Sequence, residues 1–93
     1  MGQKLRFARS ATRHRVARSR ARHVIEHARM RFRERAPDPA RGARVVYLGD
    51  DQHGMPLEVM AVELSPGELM VIHSMPLRAK YLAQYKEAAA WRA

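Results

Sequence analysis

The stretch VIHSMPLRAKY, residues 71–81, passes from an apolar segment into a cationic one and carries side chains that can act on a phosphate. His73 can exchange a proton near neutral pH, and the Tyr81 hydroxyl can orient a phosphate by a hydrogen bond. Arg78 and Lys80 can stabilise negative charge as it develops. Metal-free RNA cleavage requires a base for the 2′-hydroxyl, cations for the phosphorane and an acid for the 5′-oxygen. The stretch therefore predicts a site for that chemistry.

A second cluster, Arg13-His14-Arg15, supplies another histidine flanked by cations. We predict that His14 or His73 acts as general base or acid, and that Arg13 helps to hold the scissile phosphate. A structural role is the alternative, because His73 shares a strand face with apolar residues and Tyr81 fits a core position of the following helix. The two cations between them also fit a solvated helix face.

The charge of the chain is concentrated in its first half. Residues 1–44 hold 14 Lys and Arg against three Asp and Glu, which gives +11, and residues 45–93 hold four against six, which gives −2, for a total of +9. Such segregation favours a polyanionic partner, since cations laid against phosphates release condensed counterions. The basic side chains predicted to bind RNA are Arg13, Arg15, Arg20, His23, His27, Arg31 and Arg33.

Two other functions also fit this charge. A non-catalytic nucleic-acid-binding module would use Arg20, Arg31 and Arg33 and would bind RNA without turnover. An interaction subunit would pair its arginine-rich half with an acidic protein. The binding module predicts steeply salt-dependent RNA binding with no turnover. The interaction subunit predicts a stoichiometric protein complex with no affinity for RNA.

The segment His23-Val-Ile-Glu-His27 matches a pattern found in inverted zinc peptidases. Two histidines at i and i+4 share a helix face, but such a site needs a third ligand and a much larger scaffold. We therefore interpret both histidines as part of the basic face and predict no metal site. No glycine-rich phosphate loop is present, and no cofactor is expected.

The N-terminal half predicts short elements. Lys4 to Phe7 alternates as an edge strand would, unless residues 1–9 form a flexible N-terminus. Ser10 to Val16 predicts a short helix capped by Ser10, and a clearer amphipathic helix opens at Ser19. Met30 to Arg35 alternates apolar and arginine positions and predicts a half-buried strand.

The C-terminal half predicts a β-meander followed by a helix. Prolines and glycine in residues 36–42 indicate a loop, after which Ala43–Leu48, Leu57–Leu64 and Glu68–Ser74 predict antiparallel strands. Pro76 is predicted in the first turn of the last helix. The whole chain, residues 1–93, is thus expected to be one α+β domain with N-terminal helices, an antiparallel sheet of three to four strands and a C-terminal helix.

The absence of cysteine excludes a disulfide scaffold and agrees with a reducing compartment. No apolar run reaches the ~20 residues of a membrane helix. We therefore expect a cytoplasmic protein with no membrane partner.

Three segments together resemble the BrnT-type toxins, a branch of the RelE-like superfamily of bacterial type II toxin–antitoxin modules. They are Arg13-His14-x-Val16, the hairpin Val45–Gly49 with Leu57–Glu63, and Ile72–Tyr81. The resemblance covers residues 10–85. Its motifs are matched in order and spacing.

This resemblance implies a RelE-like ribonuclease fold, a basic RNA-binding face, and inhibition of translation by RNA cleavage. It also implies a cognate antitoxin with a ribbon-helix-helix DNA-binding part, and hence a homodimer or a toxin–antitoxin hetero-oligomer. His14 falls at the family's histidine and Arg78 near its C-terminal arginine, whereas Arg15 replaces a glycine. The C-terminal segment departs from the family's usual ending at His73, Met75-Pro76 and Lys80-Tyr81.

Overall fold

The computed structural model describes residues 4–35 and 43–91, with side chains as far as Ala88, and shows an α+β chain. The described residues form five strands, two α-helices and two short 3-10 helices. The strands are β1 (Lys4–Phe7), β2 (Met30–Arg35), β3 (Ala43–Asp50), β4 (Pro56–Ser65) and β5 (Glu68–Pro76). The helices are α1 (Arg18–His27) and α2 (Leu82–Trp91), and the 3-10 helices are Arg9–Thr12 and Ala79–Tyr81.

One mixed sheet joins all five strands in the order β1-β5-β4-β3-β2. Strands β3, β4 and β5 form the predicted antiparallel meander, and β2 pairs antiparallel with β3. Strand β1 pairs with β5 in parallel. The prediction of a three- to four-stranded antiparallel sheet was therefore wrong in number and in one direction. The edge-strand interpretation of Lys4–Phe7 is confirmed, because these residues pair with Glu68–Val71.

The predicted helix over Ser10–Val16 was also wrong, so the described residues contain one N-terminal α-helix rather than two. Only Arg9–Thr12 is helical, as a single 3-10 turn. Ser10 does not cap it, because its hydroxyl donates at 2.6 Å to the backbone carbonyl of Ile72. This long-range bond fixes the turn on β5.

The sheet is covered on both faces. On one face α1 packs Ala21, Val24 and Ile25 against β3, β4 and β5. On the other face Val46, Leu48 and Met60 meet the segment that leads into α2, with Tyr81 at its centre. The interpretation of the meander strands as apolar on nearly both sides is thus confirmed.

The end of β5 differs from the predicted helix start at Pro76. Pro76 is the last residue of β5, opposite Leu57, and α2 begins only at Leu82 after the second 3-10 helix. Proline is tolerated at a strand end because no further ladder bond is required of it there. The cationic segment is therefore a connection rather than the first turn of α2.

Asp51 fastens α1 to the β3–β4 turn. Its buried carboxylate accepts hydrogen bonds from the Arg20 Nε at 2.6 Å and from the backbone N–H groups of His53 and Met55 at 2.8 and 2.9 Å. Burial acts to raise the pKa of Asp51, but these three donors outweigh it and hold the pKa at about 2. The folded state therefore favours the ionised form.

Replacing Asp51 by asparagine is expected to lower the thermal midpoint at neutral pH. Because the folded pKa of about 2 lies below the ordinary value of 3.8, the stabilisation is complete above pH 4 and is lost as the pH falls towards 2. Thermal melts of both proteins across this pH range should converge at the acid end. A constant difference between the two midpoints at all pH values would contradict the assignment.

No helix in the described ranges is long and apolar enough to cross a membrane.

Candidate active site

An irregularity in the β4–β5 ladder places His73. The register shifts between Met60, which faces His73, and Ala61, which faces Val71, so that Ile72 is the extra residue. Bulges re-aim side chains locally. His73 therefore lies on the α2 side of the sheet next to Glu58, which is two residues before Met60 on β4.

Glu58 is the centre of the site, with a side chain that is 0% exposed. One carboxylate oxygen, Oε1, accepts a hydrogen bond from the Arg78 backbone N–H at 2.8 Å. The other, Oε2, contacts the His73 Nε2 at 3.0 Å and the Arg78 Nε and Nη2 at 2.8 and 2.6 Å. A buried carboxylate must be paired and hydrogen-bonded to be stable, and Glu58 is both.

The Glu58 carboxylate sets the protonation pattern of His73. An ionised carboxylate only accepts hydrogen bonds, so the His73 Nε2 carries a proton and Nδ1 of the neutral ring keeps its lone pair. Burial lowers the pKa of His73 below its usual range, and the positive charges of Arg78 and His14 add to this against the opposing effect of Glu58. His73 is therefore a neutral proton acceptor at pH 7.

His14 completes a histidine pair. It lies in the connection between the first 3-10 helix and α1, where it is exposed, and its ring meets the His73 ring edge to face with centroids 5.7 Å apart. Two imidazoles at this separation can reach opposite oxygens of one phosphodiester. The charge of His14 is one of the influences that lower the pKa of His73. Acid–base cleavage requires two such proton-exchanging groups at one phosphate.

Arg78 joins the histidine pair through Glu58, whereas Lys80 lies over the Tyr81 ring on the side of Glu34. The Arg78 side chain is 40% exposed although Glu58 holds it, so part of its guanidinium faces solvent. Its pKa is raised chiefly by the hydrogen bond to Glu58, which keeps the charge fixed. Both cations lie over the ring of Tyr81, with Arg78 Cζ at 5.8 Å and Lys80 Nζ at 4.9 Å from the ring centroid. This arrangement holds both positive charges over the Tyr81 ring, and Arg78 is the one that acts on His73.

Tyr81 itself is in the core rather than at the surface. It is 2% exposed, and its hydroxyl donates at 2.7 Å to Glu34, which also accepts from Arg44 at 2.7 Å. Burial and the Glu34 carboxylate raise the pKa of Tyr81. Burial also acts on Glu34, but the bonds from Tyr81 and Arg44 outweigh it and lower the Glu34 pKa. Tyr81 supports the two cations and does not face a substrate.

Replacing Tyr81 by phenylalanine should separate the contribution of its hydroxyl to stability from the contribution of its ring, which lies under Arg78 and Lys80. We expect the free energy of unfolding to fall by about 1–2 kcal/mol, because Glu34 loses one donor in a partly buried position. Cleavage should be nearly unchanged, since the ring that supports Arg78 and Lys80 remains. Chemical denaturation and an RNA cleavage assay check both parts. A large loss of cleavage activity at unchanged stability would show that the Tyr81 hydroxyl takes part in catalysis.

The five arginines predicted to bind RNA fall into three groups. Arg13 and Arg15 are exposed beside His14 and share its connection. Arg31 and Arg33 are exposed on β2, on the α1 side of the sheet and hence on the face opposite His73. Arg20 is bound to Asp51 and ties the fold together. Only the first group adjoins the histidine pair.

The histidines of the H-x-x-E-H segment lie on α1, with ring centroids 4.4 Å apart. Within the described ranges no group of three or more histidine, aspartate and glutamate side chains is placed to hold a metal ion. His23 and His27 therefore stay a pair on the helix surface, remote in sequence and element from His73.

Sequence analysis missed Glu58. An acidic residue inside the apolar run Leu57-Glu-Val-Met-Ala-Val62 was a usable signal, because an unpaired charge on a buried strand is costly and implies a cationic partner. That partner, Arg78, lies 20 residues away and comes to Glu58 only when β4 and β5 pair.

Comparison with known proteins adds no identification: no family model matches the chain, and neither a curated protein nor a solved structure matches it.

Proposed function

We propose that the protein is a metal-independent endoribonuclease whose site is formed by His73, His14, Arg78 and Lys80 around the buried Glu58. The observation that supports this most is the bond between Glu58 Oε2 and His73 Nε2, with the His14 ring edge to face against His73 at a centroid distance of 5.7 Å. A carboxylate that orients one histidine, beside a second exposed histidine and two cations, contains every group that the reaction requires.

The reaction follows from the positions of these groups. The His73 Nδ1 takes the proton of the 2′-hydroxyl, and the resulting oxygen attacks the adjacent phosphorus. Arg78 and Lys80 stabilise the negative charge of the phosphorane. Protonated His14 gives its proton to the 5′-oxygen as the P–O bond breaks. The products are a 2′,3′-cyclic phosphate and a 5′-hydroxyl, and both histidines exchange protonation states.

The biological role proposed with this activity is that of a toxin in a type II toxin–antitoxin module, with a RelE-like fold. It rests on the BrnT-type resemblance of residues 10–85 together with the small basic α+β chain. Cleavage of messenger RNA, free or on the ribosome, would inhibit translation. The expected partner is an antitoxin that covers the basic surface in a hetero-oligomer.

A binding module without catalysis is the second candidate, and the exposed Arg31 and Arg33 on β2 favour it. They lie on the sheet face opposite His73, where they could bind phosphates without contributing to cleavage. This function predicts salt-dependent binding and intact RNA.

Incubation in EDTA with two matched substrates tests the proposal. One is a labelled RNA, and the other is the same sequence with 2′-O-methyl groups, which removes the nucleophile. We expect cleavage of the first and binding without cleavage of the second, with ribosomes added in a parallel reaction. Cleavage of both substrates would contradict the mechanism, and binding of both without cleavage would favour the binding module.

A further inference from the structure

We propose that Arg15 binds a phosphate of the RNA backbone next to the phosphate that is cleaved. This inference deepens the proposed function and rests on it. Arg15 follows His14 directly, so it lies at the rim of the histidine pair.

The backbone of Arg15 is unusual. Its φ is +58°, in the left-handed region that disfavours residues with a Cβ. Among the described residues it is the one non-glycine residue with a positive φ. A strained residue persists only where its surroundings fix it, and such positions cluster at functional sites.

The surroundings do fix it. The Arg15 N–H donates at 3.2 Å to the Thr12 carbonyl and closes a turn. The residues on either side of that turn, Ala11 and Val16, are 2% and 6% exposed in the core. The chain must therefore reverse at residue 15 for Val16 to enter the core while His14 stays over His73.

At two other positions with a left-handed backbone, this chain has glycine. Gly54 and Gly67 have φ values of +82° and +83°. A Cβ at either would meet no atom within 4 Å, so the backbone angle is what favours glycine there. Arg15 breaks this pattern at the one left-handed position beside the candidate site.

Packing and ion pairing do not explain the arginine. Its side chain is exposed, and no carboxylate within the described ranges lies within 4 Å of it. Four other cations of the first 25 residues pair with acids: Lys4 and Arg6 with Glu68, Arg20 with Asp51, and Arg22 with Glu26. A run of arginines around His14 has no such pairing in the same ranges: Arg9, Arg13, Arg15 and Arg18. These side chains are therefore available to an anion from outside, and the adjacent phosphates of an RNA bound at His14 match this charge.

Three substitutions separate charge from strain. Arg15→Gly removes both, Arg15→Ala removes the charge and keeps the strain, and Arg15→Lys keeps both. Arg22→Ala is the matched control, because it removes an exposed arginine on α1 that pairs with Glu26. RNA affinity is measured by fluorescence anisotropy with 2′-O-methyl RNA across a salt series, and stability by thermal melting.

We expect Arg15→Gly and Arg15→Ala to weaken RNA binding about three- to tenfold and to reduce the salt slope by about 0.7, the value for one phosphate contact on a single strand. Arg15→Lys should retain most of the affinity, and Arg22→Ala should keep the slope. Arg15→Gly should melt a few degrees above Arg15→Ala because the strain is relieved. Opposite effects on stability and on affinity would show that the arginine is kept for binding.

Unchanged affinity and slope in Arg15→Ala would overturn this inference while leaving cleavage in place. If RNA binding depends on Arg15 but unmodified RNA is not cleaved, the proposed endoribonuclease activity is wrong and the phosphate contact of Arg15 is supported. A wild-type protein without affinity for RNA would overturn both.

Discussion

Replacing Glu58 by glutamine is expected to lower the cleavage rate by about 10²–10⁴-fold, because the amide no longer fixes the His73 tautomer. The carboxylate accepts a hydrogen bond from the His73 Nε2–H at 3.0 Å, which leaves Nδ1 as the base. A glutamine amide can instead donate to Nε2 and so stabilise the tautomer that carries its proton on Nδ1. Glutamine also keeps the size of the side chain, so that the fold should persist.

Stability should change by much less than activity. We expect the free energy of unfolding to fall by about 1–3 kcal/mol, since Arg78 loses its charged partner but remains 40% exposed and can be solvated. Glu63→Gln is the matched control, because Glu63 lies on the same strand and is exposed. Nitrogen-15 NMR of the histidine rings reads out the tautomer directly. Full activity in Glu58→Gln with an unchanged His73 tautomer would contradict the assigned role.

Replacing either histidine by glutamine should reduce cleavage by about 10²–10⁴-fold, and replacing both should abolish it with the fold intact. The wild-type rate should rise with pH through a pKa lower than the ordinary 6.5 of histidine, because His73 must be neutral and its pKa is lowered. An acid that protonates the 5′-oxygen gives the rate a second, falling limb at higher pH, and we assign this role to His14. The profile is therefore expected to be bell-shaped.

The single variants should each lose one limb of that profile. His73→Gln removes the acid limb and His14→Gln the alkaline limb, so the two assignments are tested independently. His53→Gln is the control, because His53 is exposed in the β3–β4 turn. Two profiles that keep both limbs would show that neither histidine exchanges the proton.

Local pattern predicted the elements whose burial alternates along the chain. Met30–Arg35 is the clearest: alternate residues are half-buried and exposed, and the strand has the predicted bounds. The meander strands were placed to within two residues at each end by their apolar runs between turn residues. Elements that depend on contacts with residues far away in the sequence were not predicted. The Ser10 hydroxyl serves the Ile72 carbonyl rather than a helix cap, and a sequence window around Ser10 contains no sign of that bond.

The candidate site was predicted in part. His14 and His73 are 59 residues apart in the chain, and residue type alone selected both before the fold brought their rings together. The Tyr81 hydroxyl is a group that can act on a phosphate, but Tyr81 is buried. Its burial results from the packing of the segment that leads into α2 on β2 and β3, and the spacing of residues in the sequence does not determine that packing. Glu58 and the backbone of Arg15 depend on strand register and turn geometry. Both became visible only in three dimensions.

The central claim is that the His14–His73 pair cleaves RNA, and analysis of product ends tests it most directly. Wild-type protein and the His14→Gln/His73→Gln double variant are each incubated with labelled RNA in EDTA, with and without ribosomes. We predict 2′,3′-cyclic phosphate and 5′-hydroxyl ends with the wild type and none with the double variant. The same ends from the double variant, or intact RNA from the wild type under both conditions, would contradict the account.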